Sequence, residues 1–333
     1  MDKRYAVYRR SSKNGLNIGL PPSTSLVQPQ NRQTTFLMQL GLRYPLDIYT
    51  SIRGTTTLRF DKQTQLGVDR VNLNTPTAKQ QRLGFKLEYV YDNTIDVDVN
   101  IKNGTRYKFS AELVKRFEID FIDRFTFDLN EGFLTVLGLD ARHYQRLDKH
   151  SILAVRLAAA TSFGKERLLY LLGAVDNKIL PVNFNQEIPL PSADGFAYQT
   201  FANNLRGFDT NIRNGSSYAL VNTELRVPIF KYIFRRVRSS FFRNFQVIGF
   251  FDFGTAWQGL SPYSKDNPLN ITTISNNVID VEVTYFRDPI VAGYGFGVRS
   301  VLFGYFLKLD YAWGIETKVV QDPILYFSMG MDF

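Results

Sequence analysis

The last ten residues, ILYFSMGMDF, alternate without a break. Leu325, Phe327, Met329, Met331 and Phe333 share one parity; Tyr326, Ser328, Gly330 and Asp332 share the other. A period of two places these sets on opposite faces of a β-strand, one apolar and one polar or small. The rhythm recurs upstream. In YFLKLDYAWG, Tyr305, Leu307, Leu309, Tyr311 and Trp313 oppose Lys308, Asp310 and Ala312. In IVAGYGFGVRS, Ala292, Tyr294, Phe296 and Val298 oppose Gly293, Gly295, Gly297 and Arg299. TRYKFSAEL, LGFKLEYVYD and LAVRLAAAT behave the same way, with Arg106, Lys108, Glu112, Lys86, Glu88, Asp92 and Arg156 on the polar parity.

A soluble sandwich also alternates, but its apolar face must find a partner sheet. A membrane barrel needs none: lipid covers the apolar face and closure satisfies the backbone. Twelve segments carry the pattern, near 4–18, 36–49, 52–67, 82–92, 104–118, 132–146, 151–162, 217–229, 245–257, 290–300, 304–314 and 324–333. Short connections near 50, 93–103, 147–150, 230–244 and 301–303 alternate with long ones near 19–35, 68–81, 119–131, 163–216, 258–289 and 315–323. Short periplasmic turns and long extracellular loops alternate this way in outer-membrane proteins. The expected fold is all-β: a single transmembrane, antiparallel, up-and-down β-barrel over 1–333, of about 12 strands, in a bacterial outer membrane. Connection 163–216 is too long for a plain loop and asks for a function.

Composition sharpens this. The 28 Phe, 18 Tyr and 2 Trp suit aromatic girdles at two membrane interfaces. There is no cysteine, which excludes disulfides, thiolate metal sites and a cysteine nucleophile. The formal charge of +9 is spread along strands and turns, so nucleic acid is not an expected partner. No apolar run approaches the ~20 residues of a membrane helix. The opening MDKRYAVYRRSSKNG has no apolar signal core. An exported barrel therefore implies that this sequence is a mature form or the C-terminal piece of a longer precursor. Two histidines, His143 and His150, flank an expected turn. With no metal spacing, nucleophile elbow or phosphate loop, the chain is not expected to be an enzyme or to hold a cofactor or metal. The GYGFG run at 293–297 lacks a following helix and reads as small residues on a strand's inner parity. In KYIFRRVRSSFFR (231–243), Ile233, Phe234, Val237 and Phe241 sit at helical spacing among Lys231, Arg235, Arg236, Arg238 and Arg243. The spacing predicts a short amphipathic helix at the periplasmic interface, touching lipid headgroups.

Inside the long connection lies NNLRGFDTN, followed by SYALVNTELRVPIF (217–230) and FFDFGTAW (250–257). These three motifs, in this order and with a terminal Phe, resemble the BamA/TamA-type superfamily of outer-membrane assembly and translocation barrels, the bacterial surface antigen barrels. YLLGAVDNK (170–178) resembles the start of the same loop, and YDNTIDVDVNIKNGTRYKFSAE (91–112) resembles a family turn and strand, without its usual proline. The resemblance spans about residues 83–333. It implies that 163–216 is an extracellular loop folded into the lumen. Its tip would be Arg206, Gly207 and Phe208. The receptors would be Asp252 and Gly254 of F-x-D-x-G and Glu224 on the preceding strand. Parity agrees with inward-facing carboxylates: Leu225 and Val227 take the apolar face beside Glu224, and Phe251 and Phe253 take it on either side of Asp252. Phe333 would end the closing strand.

The resemblance further implies a barrel that assists insertion, assembly or translocation of other outer-membrane or surface proteins, through a weak seam between first and last strands. Its expected partners are outer-membrane lipids, client outer-membrane proteins and accessory periplasmic or lipoprotein subunits. The alternative is a passive barrel anchor or pore for a missing N-terminal domain. Relatives carry sixteen strands preceded by periplasmic domains. Here twelve strands are read and those domains are absent, so either the sequence is part of a larger barrel or this branch is smaller.

Overall fold

The computed structural model describes residues 30–66, 78–119, 125–126, 132–180, 182–185, 188, 190–191, 195–202, 204–234, 238–264, 267, 269–275, 280–284 and 287–333. From the N-terminal side come β1 (Gln30–Pro45), β2 (Thr50–Leu66), β3 (Ala78–Asp92), β4 (Ile95–Asp98), β5 (Ile101–Ile119), β6 (Phe125–Thr126), β7 (Phe133–Arg146) and β8 (Ile152–Gly164). The long connection carries β9 (Arg167–Leu172), β10 (Phe196–Ala202) and β11 (Arg213–Gly215). Then follow β12 (Ser217–Val227), the helical turns α1 (Ile229–Ile233) and α2 (Ser240–Arg243), β13 (Gln246–Trp257), β14 (Ile271–Ser275) and β15 (Asp280–Thr284). The chain closes with β16 (Val291–Leu302), β17 (Tyr305–Glu316), β18 (Val319–Val320) and β19 (Ile324–Met329).

A 14-stranded sheet runs in the order β1-β2-β3-β5-β7-β8-β12-β13-β16-β17, with β18 and β19 on β17 and with β4 and β6 on β5. Its long strands follow one another in chain order, the up-and-down topology that alternation and short turns dictate. Among the described residues no ladder joins β1 to β19. Eleven of the twelve segments expected from the sequence coincide with β1, β2, β3, β5, β7, β8, β12, β13, β16, β17 and β19. The remaining segment, 4–18, lies outside the described residues.

The chain divides into two compact units. The first comprises Met1–Leu42, Gly54–Lys86 and Leu113–Phe133. Its polar face centres on Asp61, which accepts hydrogen bonds from Thr35 Oγ1 at 2.6 Å and Arg59 Nε at 2.7 Å, and pairs with buried Arg82 at 3.3 Å. The second comprises Arg43–Arg53, Leu87–Glu112 and Leu134–Phe333, and contains every site residue discussed below.

Burial in the second unit follows strand parity. Along β13, Phe250, Asp252 and Gly254 are buried while Phe251 and Phe253 are exposed. Along β12, Asn222, Glu224 and Arg226 are buried while Leu225 is exposed. Apart from Phe250, polar and small residues face inward on these strands and apolar ones outward, the inverse of a water-soluble sheet. The outward aromatics touch across strands: Tyr294 stacks on Trp313 at 5.7 Å, and Tyr91 on Tyr107 at 4.9 Å.

Three local readings are corrected. Among the described residues, the helix expected at 231–243 is two short turns, α1 and α2, with Phe234 extended after the first (φ −118°, ψ 129°), and Arg235, Arg236 and Val237 lie outside the described residues. A segment this short has little helical stability of its own. Its aromatics gather instead: Phe230 packs on Phe242 at 4.9 Å and on Phe245 at 5.3 Å. Connection 315–323, expected to be long, is a two-residue turn at Thr317 (φ 48°) and Lys318 (φ 67°), followed by β18. Positive φ at both central positions matches the twist of a hairpin. Pro323, lacking an N–H, falls where the ladder breaks between β18 and β19. Finally, the closing strand stops at Met329, short of Phe333. Gly330 turns the chain at φ 114°. Phe333 is therefore not an outward strand residue but packs against the cluster of Ile101, Tyr144, Ile152 and Ala154.

Candidate functional site

Register fixes the inner face of the second unit as a grid. Asn222 stands opposite Asp252, Asp252 opposite Gly293, and Gly293 opposite Gly314. The neighbouring inner row runs Glu224, Phe250, Gly295, Ala312 across the same strands. Asp252 is thus followed sideways by two glycines, and Glu224 by the Phe250 ring and then Gly295 and Ala312.

The long connection fills that shelf. It is not structureless: β9 pairs in parallel with β10 and antiparallel with β11. Its tip, Leu205–Phe208, lies on the grid. Arg206 Nε donates to Asp252 Oδ2 at 2.6 Å and Nη2 to Asp252 Oδ1 at 2.8 Å, a bidentate pair. Nη1 donates to Glu224 Oε1 at 2.7 Å. The guanidinium also lies 3.7 Å over the Phe250 ring, a cation–π contact. All three charged groups are buried, Asp252 at 0% exposure and Glu224 at 2%. Asn222 Nδ2 donates to Asp252 Oδ1 at 2.8 Å and to Asn204 O. Glu224 is shared, since Arg226 Nε donates to its other oxygen at 2.9 Å. Two arginines therefore face two carboxylates, and the buried cluster is charge-balanced, the condition under which buried ions are tolerated.

Gly207 has φ 93°, and a Cβ there would lie 2.6 Å from the backbone of Trp313 and Gly314. Its N–H donates to Tyr326 Oη at 3.0 Å, and the Tyr326 hydroxyl donates to Phe208 O at 2.7 Å, tying the tip to β19. Phe208 enters an apolar cluster with Leu172, Leu205, Ile212, Leu220 and Val291.

The structure thus brings together Arg206, Glu224 and Asp252, with Gly207 and Phe208 beside them. Gly254 faces inward, but the three atoms nearest to a Cβ placed on it belong to Ala219 and Leu220 of β12, not to the tip. Sequence reading missed the seat itself. A Cβ on Gly293 would lie 1.8 Å from Arg206 O, and one on Gly314 would lie 2.5 Å from Gly207 O and from the Phe208 ring. Gly293, which opens the GYGFG run, and Gly314 on the neighbouring strand are the surface the tip lies on. Their parity was visible; what approaches them was not. Tyr326, Asn222 and Phe250 were missed for the same reason.

Below the tip, Arg299 Nε donates to Asp332 Oδ2 at 2.9 Å and Nη2 to Asp310 Oδ2 at 3.1 Å. Asn100 Nδ2 reaches Asp332 Oδ2 at 2.9 Å. Arg226 Nη2 donates to Phe333 O at 3.2 Å. Burial alone would raise the Asp332 carboxyl, but Arg299, Lys308 and Arg226 outweigh it and hold the group below the ordinary range. Between tip and tail lies a polar cavity of about 210 Å³ bordered by Arg142, Arg156, Glu224 and Lys308. Of the histidines, His143 Nδ1 bonds Thr105 Oγ1 at 2.8 Å, and His150 sits edge-on to Tyr232 at 5.5 Å. Among the described residues, no group of three or more acidic or histidine side chains is placed to hold a metal.

A family model described as the Omp85 superfamily domain matches residues 5–333. No curated protein matches the sequence. Similar solved structures include BamA from Haemophilus ducreyi lacking POTRA domains 1–3, at 14% identity and a TM-score of 0.49, covering 90% of this chain and 55% of that one. CdiB from Acinetobacter baumannii aligns at 12% identity and a TM-score of 0.46, covering 90% of this chain and 42% of that one. The chain spans about half the length of these structures.

Proposed function

The chain belongs to the Omp85 superfamily of outer-membrane β-barrels, and from that premise we propose that it assists insertion, assembly or translocation of other outer-membrane or surface proteins, without covalent chemistry. The supporting observation is the seated loop tip. Arg206, held by Asp252 and Glu224 over a glycine shelf, is built as a lock between a long loop and the wall. In this reading Arg206, Gly207 and Phe208 form the lock, and Asp252 and Glu224 receive it. The lock holds the strands of β12, β13, β16, β17 and β19 in one arrangement while clients engage the membrane-facing wall. Outer-membrane lipids, client proteins and accessory periplasmic or lipoprotein subunits are the proposed partners. A passive pore fits less well, because the loop occupies the inner face where a solute path would run.

The test is Arg206→Ala in the full chain, expressed in its outer membrane. The expected result is a lower temperature for the folded-to-unfolded shift on gels together with reduced levels of client outer-membrane proteins. Normal client levels in a barrel whose loop has been released would overturn the assembly reading.

A further inference from the structure

β19 has two edges, and one faces β17. The N–H of Gly330 donates to Phe306 O at 2.8 Å on that side. Backbone groups of alternate residues point the same way along a strand, so Phe327 and Met329 direct theirs to the opposite, outer edge. That edge is covered. Ile179 N donates to Phe327 O at 2.7 Å, and Met329 N donates to Asn177 O at 3.1 Å. Lys178 and Ser328 form the antiparallel bridge between these bonds. Val182 and buried Val175 pack with Tyr326 and Ile324 alongside. The covering segment belongs to the same loop that carries Arg206.

Cover and tip are tied to each other. Ala174 bridges Leu205, Asn204 N donates to Ala174 O at 3.0 Å, and Ala174 N donates to Phe208 O at 3.1 Å. Asn204 Nδ2 donates to Asp176 Oδ2 at 2.6 Å. From these ties to the edge bonds is a step of one to three residues.

We propose that Asn177–Ile179 is a resident cover for the outer edge of β19, held in place by the seated Arg206 tip, and that an extended partner polypeptide gains this edge by displacing it. An open strand edge pairs with whatever extended chain it meets. A cover of only three residues shields the edge in the resting protein and yields to a longer ladder. The cover places Lys178 opposite buried Ser328, so a partner strand entering here carries a polar residue at that inward position and apolar residues on the adjoining, outward parity, where Leu325 and Met329 are exposed. This inference rests on the assembly reading above for its partner, but not for its geometry.

The chain has no cysteine, so a pair can be introduced cleanly. Lys178→Cys with Ser328→Cys, in the full chain in outer-membrane vesicles, is expected to form a disulfide under mild oxidant with no client present. Client assembly by the oxidised protein is expected to be lost and to return with dithiothreitol. In an Arg206→Ala background the cross-linking rate is expected to fall roughly tenfold, as expected for loss of several charge-assisted bonds. Failure of the natively folded pair to cross-link overturns the cover, an unchanged rate with Arg206→Ala overturns its tie to the tip, and full assembly by the oxidised protein overturns displacement. Cross-linking in a protein that assembles no client would retain the cover and reject the assembly reading instead. If the cysteine pair does not fold, Ile179→Pro removes the donor to Phe327 O. A photoreactive peptide of sequence AVDNKILPV, copied from residues 174–182, is then expected to label β19 in that variant and not in the parent. Equal labelling of both overturns the cover.

Discussion

Arg206 is the residue on which the inner face turns. It places a guanidinium between two buried carboxylates, so removing it strips Asp252 of its cation and leaves Glu224 only Arg226. Breaking such a pair costs about 3–5 kcal/mol. Arg206→Ala is therefore expected to lose about that much stability. Arg206→Lys recovers only part of it, since an ammonium cannot reproduce the two-pronged contact with Asp252. Thermal unfolding in detergent, read by tryptophan fluorescence, gives both values. The seat is the sharper test. Gly314→Val drives a side chain into Gly207 O and the Phe208 ring and is expected to unseat the tip as fully as Arg206→Ala. Gly249→Ala, with open space around it, is expected to change nothing measurable. Arg206, Glu224 and Asp252 were legible through the family resemblance that NNLRGFDTN, SYALVNTELRVPIF and FFDFGTAW carry, and strand parity agreed for the two carboxylates. Gly293 and Gly314 were not. A glycine's role is set by the backbone that approaches it, which one strand's pattern does not contain.

The strands carry their signal in period two, and it located eleven of the described elements. The consequence is directional. Phe253→Arg, on the exposed face of β13 beside buried Asp252, is expected to cost about 2–4 kcal/mol if the position lies near the bilayer centre. Urea-dependent folding into lipid vesicles measures it. What the pattern misjudged were the ends of elements. Residues 231–243 have helical spacing, but five nearby phenylalanines satisfy one another across a break at Phe234, and tertiary clustering outweighs periodicity. ILYFSMGMDF alternates to its last residue, yet Gly330 permits a turn and the Asp332 carboxylate is drawn to Arg299 and Asn100. A turn of this kind leaves no mark on parity. Because the folded Asp332 carboxyl is depressed below its ordinary 3.8, its contribution is complete above that value and is lost as pH falls through and beneath it. Wild type is expected to lose stability more steeply than Asp332→Asn below about pH 4, as read by the gel-shift temperature across a pH series.

At the scale of the molecule, the inner face is connected from the loop tip to the chain's final residue. Glu224 gives Oε1 to Arg206 and Oε2 to Arg226, and Arg226 donates on to Phe333 O. Arg206→Ala and Arg226→Ala should therefore be non-additive by about 0.5–3 kcal/mol, a double-mutant coupling measurable in the same unfolding assay. No single stretch of sequence foretold this, because the four residues that pass the contact along come from a loop, a wall strand and a tail. Its consequence is mechanical. A pull on the loop would be borne along three side chains and delivered to the backbone at Phe333, so that force applied at the tip is felt by the tail.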